Sequence, residues 1–234
     1  MLEIPTPQQN RLLAALSVEV QDRLFPLLEL SSLPPGKFVY ESGDTLRHIY
    51  FPTDSIVSLI QITENGASAE ISMVGNEGLI GITLLMGEDT TPDRAVVHSS
   101  GTAYRLAKQQ LRDEISYHGE LENVLLRYTS SLMKQMAQMA LCNRHHTIDQ
   151  QLCRWLLLSL DRLSGNCLFM THELISNMLG VRRESITEAA GKLQKQGIIE
   201  CHRGVIKVLD RAGLEMHSCE CYEVVKFKTG RLLC

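Results

Sequence analysis

Between Thr171 and Leu193 the chain reads THELISNMLGVRRESITEAAGKL, and its apolar positions fall into two short helical periods either side of one glycine. Leu174, Ile175, Met178 and Leu179 recur at i, i+1, i+4 and i+5, an apolar stripe on a helix that starts after Thr171. Gly180 supplies the left-handed or tight-turn conformation that ends it at little steric cost. A second helix, from about Arg182 to Gln194, turns Ile186, Ala189, Ala190 and Leu193 inward. Its outer face carries Arg182, Arg183, Glu184, Thr187 and Glu188. Helix, glycine turn and a second helix with a polar leading edge form a helix-turn-helix pattern, although an ordinary helical hairpin shares the period. After Gly197, IIECHRGVIKVLD alternates around His202-Arg203-Gly204, which predicts a β-hairpin and therefore a wing.

Upstream the periods change twice. Leu12, Leu13, Leu16, Val20, Leu24, Leu27 and Leu28 stand at helical spacing, with Pro26 interrupting, so one or two short N-terminal helices are expected. From Ser31 to Lys108 the apolar runs are short and β-rich. Pro34-Pro35-Gly36, Ser42-Gly43-Asp44, Glu64-Asn65-Gly66 and Ser100-Gly101-Thr102 punctuate them, as in an antiparallel barrel or jelly roll. The period then becomes helical again. Leu121, Leu125, Tyr128, Leu132, Gln135, Met139 and Cys142 step by four and three, a heptad seam with no Pro or Gly between Glu120 and Asn143. The seam predicts a two-helix coiled coil, with Leu121, Leu125, Tyr128, Leu132 and Met139 at a homodimer contact; a lone helix packed on its own domain is the alternative. The methionines at 133, 136 and 139 read as packing. Asn143-Arg144-His145-His146 looks like a hinge. Ile148 to Leu163 then forms another amphipathic helix, with Leu152, Trp155, Leu156, Leu158 and Leu160 for a second core. The pattern from Asp210 onward assigns no role to LDRAGLE or to the apolar piece around Tyr222–Phe227. The expected fold class is α+β: a β-barrel sensor domain over 1–118, a dimerisation helix and hinge over 119–145, and a winged helix-turn-helix over 146–234.

Composition bears on partners. The net charge of −4 is unusual for a nucleic-acid binder, but it is unevenly spread. Residues 1–118 hold eight Lys and Arg against fifteen Asp and Glu; residues 171–234 hold ten against eight. The acidic excess is N-terminal, and the candidate recognition end is mildly positive. No apolar run reaches the length of a membrane span, and MLEIPTPQQN lacks a basic-then-apolar signal pattern, so a cytoplasmic protein without a membrane partner is expected. Seven cysteines without disulfide-framework spacing fit reduced thiols. His217, Cys219 and Cys221, with Cys234 later, are soft ligands at close spacing, a weak zinc or redox signal; no metal site is assigned. Cys142 with His145 and His146 is the sole nucleophile–base pair at short range, and one helical turn brings Cys142 and His146 onto one face. With no phosphate-cradling Gly loop, nucleophile elbow or HExxH, an enzyme is not expected.

Gly180, Arg183 and Glu184, followed by the hairpin with Arg203-Gly204, resemble the DNA-binding domain of the Crp–Fnr family of bacterial transcription regulators. The order of barrel, long helix, hinge and winged helix-turn-helix resembles the whole family architecture over about residues 10–210. The resemblance implies a ligand-sensing barrel, paired long helices, and recognition helices in successive major grooves of a pseudo-palindromic operator, with RNA polymerase a further candidate partner. Arg183 and Glu184 match the Arg-Glu pair that opens the family's recognition helix. Arg can donate bidentately to guanine, and a carboxylate can accept from cytosine. Arg182, Thr187 and Arg203 are expected at phosphates or neighbouring base edges, and Thr171 completes the DNA-facing set. Glu188 stands where many relatives have Arg, which implies a different half-site.

The sensor departs further. Cyclic-nucleotide-binding members carry Gly-Glu-x-x-Leu and then Arg-Ser or Arg-Thr. Here Ile82 follows Gly81 where Glu is needed, and Thr90-Thr91 stand where Arg-Ser would fall; Arg94 lies four residues beyond Thr90 and Glu77 too early. A cyclic phosphate would lose its charge-assisted partner, so tight cyclic AMP binding is not expected. The iron–sulfur option of the oxygen-sensing branch falls, because no cysteine precedes Cys142. His48, His98, His118 and Cys142 are the candidate axial ligands for a haem, and the effector and any cofactor are left open. A competing reading is a ligand-binding or scaffold protein whose helix-turn-helix mediates protein contacts.

Overall fold

The computed structural model describes residues 5–117, 119–163 and 165–230, so His118 and Cys234 lie outside the described residues. Two compact units emerge. One holds the chain up to Leu59 with Met73–Met133, the other Ile60–Ser72 with Lys134–Lys228. Where the sequence suggested cuts after 118 and 145, the units part inside the long helix, between Met133 and Lys134.

The first unit opens with single 3-10 turns at Pro7–Gln9 and Phe25–Leu27 flanking the short helices α1 (Arg11–Ala14) and α2 (Val18–Leu24). Asn10 starts α1 from inside the core. Its Oδ1 accepts from the Leu12 and Leu13 amides, and its Nδ2 donates to the carbonyls of Pro52 and Gly78, each at 2.9 Å. A fully buried amide is stable there because each of its polar atoms is satisfied.

The strands follow as β1 (Glu29–Leu33), β2 (Phe38–Tyr40), β3 (His48–Pro52), β4 (Ile56–Ile62), β5 (Ser68–Val74), β6 (Arg94–Ser99) and β7 (Gly101–Ala107). They form two sheets, ordered β1-β7-β3 and β2-β6-β4-β5; the antiparallel character, not this order, is what the turn spacing led one to expect. β7 pairs antiparallel with both neighbours, Glu29 facing Arg105 on one side and Phe51 facing Tyr104 on the other. Leu33, Ile49, Phe51, Ile56, Val57, Val97 and Leu106 are buried along these strands. The hairpin signal at Asn65-Gly66 holds, with Gly66 at φ +84 between β4 and β5. Helix α3 (Lys108–Ser116) follows the last strand.

Helix α4 runs unbroken from Glu120 to His145. The expected hinge at Asn143–His146 is narrower: only His146 and Thr147 separate α4 from α5 (Ile148–Leu160). Thr147 Oγ1 accepts from the Gln150 amide, the cap that restarts the helix. The heptad seam needs correcting. Leu121, Leu125, Tyr128, Leu132 and Met139 are each no more than 4 % exposed within the single chain, so they pack on their own subunit instead of awaiting a partner. Tyr128 even donates its hydroxyl to the Leu79 carbonyl at 3.1 Å. A second row at the same spacing is exposed: Leu126, Ser130, Met133, Ala137 and Ala140.

In the second unit α5 is the hub. All ten residues from Gln151 to Leu160 are buried. A helix apolar on nearly every side belongs in a core, and α5 packs on α7 (Arg183–Lys195) and α8 (Arg211–His217). Strand β8 (Cys167–Leu168) joins β9 (Ile199–His202) and β10 (Val205–Val208) in the order β8-β10-β9, so the wing has a third strand that alternation did not reveal. The stretch from Arg211 to Gly230, to which the sequence assigned no role, forms α8 and α9 (Cys221–Gly230); the Asp210 side chain caps α8 by accepting from the Gly213 amide.

Candidate nucleic-acid interface

The helix-turn-helix is built by local signals. Thr171 Oγ1 accepts from the Leu174 amide at 3.2 Å and starts α6 (His172–Leu179). Gly180 ends it at φ +65, a left-handed conformation that a residue with a Cβ adopts only at a cost. Ile175, Met178 and Leu179 bury on one helix, and Ile186, Ala189, Ala190 and Leu193 on the other. Arg182 is the N-cap residue of α7 and leaves its side chain free of any capping bond. The first-turn amides of α7 therefore keep their pull on an anion.

Arg182, Arg183, Glu184, Thr187 and Glu188 are all exposed. Arg183 is 65 % exposed, and its Nη1 meets Glu173 Oε2 at 3.5 Å. Such a surface pair is worth roughly 0–1 kcal/mol, so it steadies the guanidinium without competing seriously with a nucleic acid. Thr187 Oγ1 donates to the Arg183 carbonyl at 3.1 Å and stands 3.2 Å from His172 Nδ1. Glu188 is tied to Lys192 at 3.3 Å, and Lys192 also meets Asp149 at 3.1 Å, so two carboxylates share that ammonium. His172 and Glu173 were missed from sequence: they reach α7 only across the turn, by a contact with no period of its own. Burial, and then the charge of Arg183, holds the His172 imidazole below its ordinary value.

The wing completes the concave side. His202 pairs with Val205, leaving Arg203 and Gly204 as the tip, one residue tighter than the His202-Arg203-Gly204 turn expected. Gly204 takes φ +81, and Arg203 is exposed. Thr171, His172, Arg183 and Arg203 line one open hollow of about 350 Å³ between the start of α7 and the wing.

The sensor residues do not converge in the same way. Gly81, at φ +91, leads into a single 3-10 turn at Ile82–Leu84. Thr90 is exposed and bridges to Thr45; Thr91 is buried and bonds Asp93. Arg94 is engaged: its Nε donates to Glu41 at 2.6 Å, and its guanidinium lies 4.8 Å from the Phe38 ring centre. A hollow of about 370 Å³ in this unit is lined instead by Tyr40, Asp44, Thr45, Arg47, His48 and Tyr50. Of the haem-ligand candidates, His48 lies half-buried on β3, His98 is buried on β6, and Cys142 is buried on α4.

The cysteines regroup. His217 is exposed and stands apart, whereas Cys219 and Cys221 meet Cys142 and His146. Hydrogen bonding with Cys142 holds the Cys219 thiol down to about 5 and pushes Cys142 up.

Comparison with known proteins agrees with this architecture. Residues 30–118 match the cyclic nucleotide-binding domain, and residues 150–216 match the Crp-like helix-turn-helix domain. A global nitrogen regulator of Synechococcus elongatus is 23 % identical over 199 residues, covering 80 % of this chain and 88 % of the relative. A crystal structure of a putative transcriptional regulator of the Crp/Fnr family from Eubacterium rectale superposes with a TM-score of 0.69 at 16 % identity, covering 90 % of this chain and 97 % of the other. FixK2 from Bradyrhizobium japonicum gives 0.68 at 15 %, covering 82 % and 98 %. The two-sheet N-terminal unit and the winged helix-turn-helix, matched in order by these two domain families with the long helix between the matches, make this chain a member of the Crp–Fnr family of transcription regulators.

Proposed function

We propose that the chain acts as a homodimer on a two-fold-symmetric DNA site, with α7 in the major groove. Arg183 and Glu184 read base edges, Arg182, Thr187 and Thr171 serve the backbone or flanking edges, and Arg203 holds a phosphate from the wing. The observation that carries this is Arg183, exposed at the first turn of α7 beside an uncapped helix start and across one hollow from Arg203. The exposed row Leu126, Ser130, Met133, Ala137 and Ala140 supplies the partner face that a two-fold complex needs. Cyclic AMP is not the effector in this reading. No carboxylate follows Gly81, and Glu41 already occupies Arg94.

Selection from random duplexes with wild type and Arg183→Ala, with and without cyclic AMP, tests this. A palindromic site enriched by wild type, lost in the variant and indifferent to the nucleotide is expected. Enrichment that appears only with cyclic AMP overturns the effector reading, and a wild-type site retained in full by Arg183→Ala overturns the recognition reading. One feature favours a second reading: Glu173, Glu184 and Glu188 share the outer face with the arginines, as on a protein-docking surface. Affinity for the selected duplex that stays flat as salt is raised would turn the argument that way, because phosphate contacts release counterions.

A further inference from the structure

Cys142, on the last turns of α4, faces the loop between α8 and α9. Its Sγ is 3.6 Å from that of Cys219, and Cys221 Sγ is 3.4 Å from His146 Nδ1. One ligand atom from each of Cys142, His146, Cys219 and Cys221 lies within 4.8 Å of all the others. All three thiols are buried, and the His146 side chain is 15 % exposed. We propose that these four side chains form a tetrahedral site for one borderline-soft divalent ion, Zn²⁺ being the best match.

Geometry favours a single ion. Ordinary Zn–S and Zn–N bonds place tetrahedral neighbours about 3.8 Å apart for two sulfurs and about 3.5 Å apart for sulfur and nitrogen. The observed 3.6 and 3.4 Å edges already match, and with all four atoms within 4.8 Å of one another the remaining edges close by about 1 Å or less on binding. An iron–sulfur cluster divides its ligands between metals and needs them further apart than this group stands. Three sulfurs and an imidazole also suit zinc better than the oxygen-seeking ions.

The surroundings match a metal-ligand shell. With Nδ1 turned to Cys221, His146 presents Nε2 to Glu220 Oε1 at 3.3 Å, the carboxylate partner that fixes a ligating imidazole. Gln138 Nε2 donates to Cys221 Sγ at 3.0 Å, and Gln151 Nε2 holds the His146 carbonyl at 2.9 Å. Arg154 is an independent sign. It is fully buried, and among the described residues its Nη1 reaches only the Met139 sulfur while its Nε and Nη2 have no hydrogen-bond partner. Its charge acts on Cys142. Three thiolates around Zn²⁺ carry one net negative charge, which is the counter-ion that this guanidinium lacks. Binding would release the thiol protons to solvent and clamp the end of α4 to the α8–α9 junction.

The test is metal content and cobalt spectroscopy on the reduced full-length chain. About one zinc per chain by mass spectrometry is expected. Apo protein titrated with Co²⁺ should develop tetrahedral d–d bands and thiolate-to-cobalt charge transfer, all reversed by Zn²⁺. Cys219→Ser should cut the charge-transfer intensity and weaken binding, whereas Cys167→Ser, at an exposed thiol, should change neither. If Cys219→Ser does not fold, Glu220→Gln at a surface position should still weaken Co²⁺ binding about ten- to a hundredfold. Folded, reduced wild type that takes up neither zinc nor cobalt overturns the proposal. So does iron with acid-labile sulfide, or Co²⁺ binding unchanged in Cys219→Ser.

Discussion

Arg183 works at the edge of its own helix, and the consequences there are those of single atoms. Removing its guanidinium should cost about 1–3 kcal/mol of discrimination against the selected half-site and relax base preference at one position. Fluorescence anisotropy on single-base variants of the site would show this. Thr171→Ala removes the cap of α6 and should lower stability by about 1 kcal/mol in a denaturant titration. His172 is folded most readily in its neutral form, since burial and Arg183 depress its protonation. Its contribution is therefore fully present above the unfolded value near about pH 6.5 and is lost as the pH falls below it. His172→Asn should flatten that stretch of the stability–pH curve. The Thr171 cap and the Gly180 turn were legible because each is set by neighbours within one turn; His172 was not, because its partner Thr187 lies fifteen residues away.

The long helix shows what a period can and cannot say. Two rows of residues run along α4 at the same spacing, and the sequence favoured the more apolar one as the dimer seam. The larger apolar residues were wanted inside the chain instead, because a row of Leu and Tyr gains most by burial against its own subunit. The exposed row is the plainer one, with Leu126 at 52 % and Met133 at 63 %. Met133→Glu should dissociate the proposed dimer in sedimentation velocity while leaving the thermal transition of dilute protein largely intact. Leu132→Ala, one residue away but buried, should do the reverse and cost about 2–5 kcal/mol of fold stability. Similar results for the two variants would mean that neither row faces a partner.

For the whole molecule, order along the chain was readable and meetings across it were not. Short β runs, one long helix and the helix-turn-helix pattern are each continuous in sequence, so the α+β architecture followed from them. Cys142 and Cys219 are 77 residues apart, and no local signal could join them. Charge also acts at this scale. In the proposed complex the acidic N-terminal part adds nothing to the pull on DNA, and affinity would rest on a few cations such as Arg182 and Arg203. Arg203→Ala should lower the slope of log affinity against log salt by about 1 while leaving sequence preference alone.

The joint between α4 and α5 has one further consequence. Only His146 and Thr147 separate the two helices, and both sides are fastened. Thr147 caps α5, and the Gln151 amide holds the Cys142 and His146 carbonyls. A connection pinned at both ends has little slack, so a twist of the last turns of α4 passes into α5 as torque, where a loose linker would dissipate it.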